Sequence, residues 1–344
     1  MSATNRFTAR LGRLKEYYEA EFSLDPALSV IGTKDFHMRE FGFQVVRNGD
    51  LRFVRNISFP TPEALFEYIQ ATTPLSIYVG AIYSEGPDYR EQRSIHQVDW
   101  IRRELIFDID LTDYDEVRFC GCRGKNEMCE HCWELVNVGA RWIHETMVED
   151  FGVEGIKWDF SGRRGLHATI LDYDFSTLDE EQRAAIVNYL TFFKGEGKNV
   201  KYHPPAKHHK EYNNRMWHLL YQSFFKEVTV EQLIEIGFGQ SRALQILNQR
   251  DRMGVSNEFL NRHVFVRQKL ASITPSQQIP SKEEILETIL FRWSPRLDSA
   301  VTVDLRRILR MPGSVHGDTG RVVRFIEPDE FDFFDPLLEE SIYD

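Results

Sequence analysis

The stretch Glu104-Leu105-Ile106-Phe107-Asp108-Ile109-Asp110-Leu111 reads as a buried β-strand that two aspartates interrupt. Side chains alternate faces along a strand, so Leu105, Phe107, Ile109 and Leu111 line one face while Asp108 and Asp110 share the other. At about 3.3 Å of rise per residue the two Cα atoms lie about 6.6 Å apart, a spacing from which both carboxylates can converge on metal ions. Like charges so close repel one another and resist burial, so a divalent cation is their natural partner. A strand end carrying solvated acids is the plain alternative for this segment taken alone.

Working outward, residues 76–84, 156–161 and 166–171 are also strand-like, rich in Ile, Val, Tyr and Phe. Residues 6–22 place Phe7, Leu11, Leu14 and Tyr18 at helical spacing. Thr61-Pro62-Glu63 supplies an N-cap, a first-turn proline and an acid for a short helix running to about Gln70, and residues 130–150 read as a helix stopping near Gly152. After Asp174 the pattern turns helical, at 177–194, 214–226, 229–237, 240–250 and 281–290, around a lysine-rich polar loop at 194–210 that contains Pro204-Pro205. Strand-like sequence resumes near Ala300 and again at 321–326. The expected fold is mixed α/β, with mostly antiparallel or mixed sheets flanked by helices. Its core is discontinuous, at 1–174 and 291–344, and a mostly helical insertion occupies 175–290.

A chain of 344 residues can bury a large core. It has no apolar run of the roughly 18 residues that a membrane span requires, and Arg6, Arg10 and Arg13 replace the apolar segment of a signal peptide. A cytoplasmic protein, or a nuclear one in a cell with a nucleus, is the expectation. The net charge of −11 argues against a nucleic-acid partner until its distribution is considered. Eight acids and no Lys or Arg lie between Phe325 and Asp344, so the rest of the chain carries only −3 and leaves room for local basic surfaces. That tail interleaves Phe331, Phe333, Phe334, Leu337 and Leu338 with its acids, a pattern suited to docking on a partner, packing on its own core or repelling DNA.

Three further motifs carry chemistry. Ser161-Gly162-Arg163-Arg164-Gly165-Leu166-His167 lies between two strand-like runs. Its glycines allow a ligand to approach the backbone, and its adjacent arginines match phosphate oxygens, so it outlines a triphosphate-binding hairpin. Cys120-Gly-Cys122, followed after six residues by Cys129-Glu-His131-Cys132, suits a closed tetrahedral zinc site, a small knuckle at 118–133. All four cysteines of the chain are in it, and His131 is the alternative fourth ligand. Finally, Asp304 follows a β-branched run and offers a third carboxylate, and Arg310, His316 and Arg321 add donors around a Pro-Gly turn.

In chain order the four patterns resemble the catalytic small subunit of archaeal and eukaryotic DNA primases, over a span from Arg39-Glu40-Phe41-Gly42-Phe43 to Arg321, with 175–290 matching only as a variable helical insertion. The resemblance implies a primase-type catalytic core and a metal-binding triad of Asp108, Asp110 and Asp304 that holds Mg2+ or Mn2+. It also implies a nucleotide site made of Ser161, Arg163, Arg164, His167, Arg310 and His316, with Arg55 as a further member, and structural zinc on Cys120, Cys122, Cys129 and Cys132. The implied activity is template-directed synthesis of short RNA, and also DNA, primers on single-stranded DNA from nucleoside triphosphates. The implied partner is an iron–sulfur-containing large subunit. Two other readings stand beside it: a primase-polymerase relative that fills gaps or joins ends, and a non-catalytic zinc-containing scaffold that binds nucleic acid. The second leaves the Asp-x-Asp strand and the paired arginines unexplained.

Overall fold

Phe41, Phe43 and Val45 alternate with Glu40, Gly42 and Gln44 along β1 (Arg39–Arg47), and that alternation gives one face of a sheet to an aromatic core. The strand turns through Asn48-Gly49, both at positive φ (54° and 83°), into β2 (Asp50–Ile57). This Asn-Gly hairpin is an element that the strand-like runs named above do not include. Helix α1 (Ala3–Ala20), α2 (Asp25–Ile31) and α3 (Pro62–Thr72) accompany this sheet; Thr61 caps α3 by accepting the Ala64 N–H. With β3 (Ser76–Tyr83), β4 (Trp100–Arg102) and β10 (Leu309–Arg310) the strands form a five-stranded antiparallel sheet, ordered β10-β3-β1-β2 with β4 paired to β3.

The second sheet contains the Asp-x-Asp strand. β5 (Leu105–Asp110), β6 (Ile156–Phe160), β7 (Gly165–Ile170) and β11 (Arg324–Ile326) are ordered β11-β6-β7-β5, again antiparallel throughout. Every residue of β7 is buried. On β5, Leu105, Phe107 and Ile109 are buried completely, whereas Asp108 and Asp110 are half-buried on the other face, as the period-2 pattern predicts.

The computed structural model describes residues 3–87, 98–118, 120–124, 127–194, 201–202, 210–235, 237–255 and 282–344. They divide into two units, one made of 1–113, 147–187 and 297–344, the other of 114–146 and 188–296. Both sheets belong to the first unit. The second is mostly helical and takes in the cysteine knuckle and most of α4 (Glu130–Phe151), which the sequence reading places in the core. Its aromatic centre is Trp142, Phe192 and Tyr212, with Trp142 donating to the Leu190 carbonyl at 3.0 Å. A two-strand ladder of β8 (Phe193–Lys194) and β9 (Lys201–Tyr202) brackets the start of the expected polar loop, most of which falls outside the described residues.

Two further expectations meet the structure. Residues 299–303, strand-like in composition, form a single helical turn instead. The side chain of Asp298 accepts the Ala300 N–H at 3.0 Å, an N-cap worth about 1 kcal/mol. Thr302 Oγ1 adds a bond to the Ile106 carbonyl at 2.7 Å, so the turn lies against β5. The acidic tail packs on its own unit: Phe331 and Phe334 meet Trp158 and Phe160, each pair at 5.2 Å, and Glu339 takes a two-point ion pair from Arg324.

Candidate active site

Asp108, His167 and Asp159 are cross-strand neighbours on β5, β7 and β6, so the sheet register sets them in one row. His167 Nδ1 lies 2.9 Å from Asp159, and its Nε2 lies 3.8 Å from Asp108. Burial alone lowers the pKa of that imidazole, but the two carboxylates outweigh it and hold His167 above its usual value. The Asp108 carboxyl is pushed up to about 6, first by burial, against the pull of His167, and further by the charges of Asp110, Asp298 and Asp159. A half-buried carboxyl crowded by three others is an environment that a bound cation relieves.

Asp298 is the residue that the sequence reading misses. Its backbone N–H donates to the Asp108 carbonyl at 3.1 Å, and its charge acts on the Asp108 carboxyl. Asp304, the expected third carboxylate, is not brought to that pair. It is exposed, accepts the Arg306 N–H at 2.9 Å and exerts its charge on Arg55 and Arg103. The reason is the helical turn 299–303: a strand there would present Asp304, whereas an N-capped turn presents its cap. Among the described residues no three carboxylate or imidazole groups bring ligand atoms within 4.8 Å of one another, and Asp110 Oδ1 is held by Arg164 Nε at 2.7 Å and by Thr112 N and Oγ1 at 2.8 Å. Positive charge from Arg164 thus stands beside Asp110.

The arginine hairpin closes on itself through Ser161, whose Oγ accepts the Gly165 N–H at 3.1 Å and whose N–H donates to the Gly165 carbonyl at 2.9 Å. Gly162 sits at φ +82°, and a methyl group there would stand 2.7 Å from the Cβ of His316; at Gly165 it would stand 2.6 Å from the Ile109 carbonyl. These contacts seat the hairpin against β5 and against the late loop. Thr319 Oγ1 donates to the Gly162 carbonyl at 2.6 Å, Arg310 Nη1 donates to the Ser161 carbonyl at 3.0 Å, and Arg163 pairs with Asp318 at 3.4 Å. Ser161, Arg163, Arg164, Arg310 and His316 are therefore gathered next to Asp108, Asp110 and His167.

His316 Nδ1 accepts the N–H groups of Asp318 and Thr319, at 3.3 and 3.4 Å, so in the neutral ring Nε2 carries the proton. Burial, then Arg310, Arg163 and Arg164, push its pKa down to about 2. A neutral Nε2–H donor follows, not a general acid. Arg164 Nη1 and Arg310 Nε are buried with no acceptor among the described residues. Buried guanidinium donors without partners fit an anion of the phosphate type. Arg55 is tied to buried Glu40 through Nε at 2.8 Å and Nη2 at 3.2 Å.

In the second unit Cys120, Cys122, Cys129 and Cys132 bring their sulfurs within 4.8 Å of one another. His131 is not with them; it lies 3.5 Å from Glu227 and 3.8 Å from Glu130. Arg118 donates to the Glu127 carbonyl at 2.9 Å and Gly124 N to Asp115 at 3.0 Å, which fixes the knuckle loop around the thiols. Four sulfurs at this spacing fit a tetrahedral ion with no open position. Purified protein is expected to contain zinc stoichiometric with the chain, and Cys132→Ser to lose it and melt at lower temperature. A metal-free protein with an unchanged melting temperature would refute a structural ion.

The family model and the curated relatives point to one family. The family model described as DNA primase small subunit matches residues 107–328. The DNA primase small subunit of Schizosaccharomyces pombe is 32% identical over 336 residues, spanning 91% of this chain and 71% of that one. The DNA primase small subunit PriS of Thermococcus kodakarensis is 27% identical over 328 residues, spanning 94% and 89%. The polymerase domain of Mycobacterium tuberculosis ligase D, in complex with DNA, aligns over 96% of this chain and 84% of that one with a TM-score of 0.41 and 12% identity, too low to assign a fold by. The Asp-x-Asp strand, the arginine hairpin and the late loop all lie within the matched residues, and the chain belongs to the DNA primase small-subunit family.

Proposed function

We propose that this chain is the catalytic subunit of a DNA primase, making short RNA and also DNA primers on single-stranded DNA from nucleoside triphosphates. The observation that carries the reading is the meeting of a crowded, half-buried carboxyl at Asp108 with guanidinium groups of Arg164 and Arg310 that each keep a buried donor without an acceptor among the described residues. One set calls for cations and the other for a polyphosphate, and nucleotidyl transfer brings the two together. Asp108, Asp110 and Asp298, in place of Asp304, would hold divalent metal, which would acidify the attacking hydroxyl and offset charge on the triphosphate. Arg163, Arg164 and Arg310 hold the phosphates and stabilise the departing pyrophosphate. His316 donates its Nε2–H to a phosphate oxygen, and His167, pinned by Asp159, orients Asp108. An iron–sulfur-containing large subunit is the proposed partner, since the cysteines of this chain are gathered at the knuckle.

The deciding experiment is a priming assay on unprimed single-stranded DNA with ribo- or deoxyribonucleotides and Mg2+ or Mn2+, with and without a large subunit. No incorporation by folded, zinc-loaded protein under any of these conditions would falsify the reading. Extension of an annealed primer without initiation would favour the gap-filling alternative. Arg310→Ala is expected to raise the KM for nucleotide about tenfold or more, because a charge-assisted bond to phosphate contributes about 1.5–3 kcal/mol. An unchanged KM in steady-state extension would remove Arg310 from the site.

A further inference from the structure

The late loop that carries His316 is held from two sides. Toward the arginine hairpin, Thr319 and Asp318 tie it to Gly162 and Arg163. On its other side residues 339–343 run along it as a strap. Glu339 pairs with Arg324 and accepts from Arg321 Nε on its carbonyl at 3.0 Å, the Ile342 N–H donates to the Gly320 carbonyl at 2.9 Å, and the Tyr343 hydroxyl donates to the Gly317 carbonyl at 3.1 Å. Resting on the function proposed above, we propose that Tyr343 is a positioning residue for the incoming nucleotide: it fixes the backbone of 316–320 and so aims the Nε2–H of His316 at the triphosphate.

The ring of His316 is oriented from within the loop, because its Nδ1 takes the N–H groups of Asp318 and Thr319. Its Nε2 donor is aimed only as well as those two peptide groups are fixed, and a hydrogen bond weakens steeply with misalignment. The loop closes on itself through the His316 N–H on the Arg321 carbonyl and the Gly320 N–H on the His316 carbonyl, both at 2.8 Å. Those bonds set its shape, whereas its placement is set by what grips it from outside. Tyr343 takes the Gly317 carbonyl while Ser76 of β3 takes the Gly317 N–H at 3.1 Å, so both backbone polar groups of that residue are fixed. Arg10 of α1 donates to the Asp318 carbonyl at 3.2 Å and lies over the Tyr343 ring, 5.0 Å from its centroid, which ties strap, helix and loop together.

The strap meets the loop at backbone contact. Gly320 sits at φ +73°, and a methyl group there would run into Ser341 and into the ring of Tyr343. The strap also has a firm base, since Ile342 and Tyr343 pack against the aromatic core that contains Phe41 and Phe43. Burial, against the pull of Arg10 and with the charge of Asp318, pushes the Tyr343 phenol up to about 12, so it remains a donor at the pH of any nucleotidyl-transfer assay. Tyr343 itself touches neither the paired arginines nor the carboxylates in any of these bonds; its effect on the nucleotide passes through Gly317, Asp318 and His316.

The test is a double-mutant cycle read in extension of an annealed primer. Tyr343→Phe removes the hydroxyl and keeps the ring. Its KM for nucleoside triphosphate is expected to rise about fivefold, with kcat and the KM for primed template within about twofold of the parent. In a His316→Ala background, where the donor being aimed is gone, the same substitution should change the nucleotide KM by less than about twofold. An equal rise in both backgrounds, which general loosening of the unit would produce, would overturn the proposal while leaving the primase reading intact, as would an unchanged KM in Tyr343→Phe. Absence of any incorporation by the parent protein would instead overturn that reading and this one with it. Melting curves guard against misfolding. If Tyr343→Phe fails to fold, the cycle is run with Arg10→Gln, a partly exposed position that loses the donor to the Asp318 carbonyl, and the same two outcomes decide.

Discussion

Asp298→Asn is expected to reduce nucleotidyl transfer on the order of a thousandfold, whereas Asp304→Asn retains extension of an annealed primer at close to the parent rate. A ligand carboxylate supplies several kcal/mol of charge stabilisation to a metal-assisted transfer, and about 1.4 kcal/mol corresponds to each tenfold. The two acids are six positions apart in sequence, and composition does not separate them. Their surroundings do. Asp298 donates its backbone N–H to Asp108 and adds its charge to that carboxyl, while Asp304 is exposed and faces Arg55 and Arg103. Side-by-side extension assays in Mg2+ and Mn2+ decide between them. Loss of extension in Asp304→Asn with full activity in Asp298→Asn would restore the sequence-level triad. Asp298→Asn keeps an N-cap for the turn 299–303, because asparagine caps about as well as aspartate, so its effect is on charge and not on folding.

That reversal marks where sequence becomes insufficient. Asp108 and Asp110 were legible because strand period alone sets them on one face, and the four cysteines because ligands within a short loop meet whatever the rest of the fold does. The arginine hairpin was legible for the same reason: Gly162 and Gly165 act within their own turn. Asp298 was not, since its importance depends on a contact with β5 from a segment nearly two hundred residues later, and Val301, Thr302 and Val303 suggest a strand until the cap is recognised. The β1–β2 hairpin is a different case. Asn48-Gly49 is a strong local signal, flanked by Val45-Val46 and Leu51, so this hairpin is encoded locally and not by tertiary structure. The grouping of the knuckle with the helical unit depends on long-range packing that no local pattern encodes.

Asp108→Asn is expected to abolish metal-dependent synthesis and, in the absence of metal, to raise the melting temperature by a few degrees. The sign follows from proton linkage. The carboxyl titrates near 3.8 when unperturbed and at about 6 in the fold, so between those values the folded state binds more protons than the unfolded one. Stability is then fully present at low pH and is lost as pH rises through about 6, to a total on the order of 1–3 kcal/mol. Asparagine is uncharged at every pH and does not incur that loss. Differential scanning in EDTA at pH 5 and pH 8 should show the variant gaining on the parent mainly at pH 8. Adding Mg2+ or Mn2+ should reverse the ranking, because the parent gains stability by binding the ion in the folded state only, as RT ln(1 + [L]/Kd), and the variant does not. A variant that is inactive but no more stable than the parent in EDTA at pH 8 would mean that the crowding of carboxylates is relieved in the metal-free protein by some other group. A variant that retains synthesis would remove Asp108 from the reaction altogether.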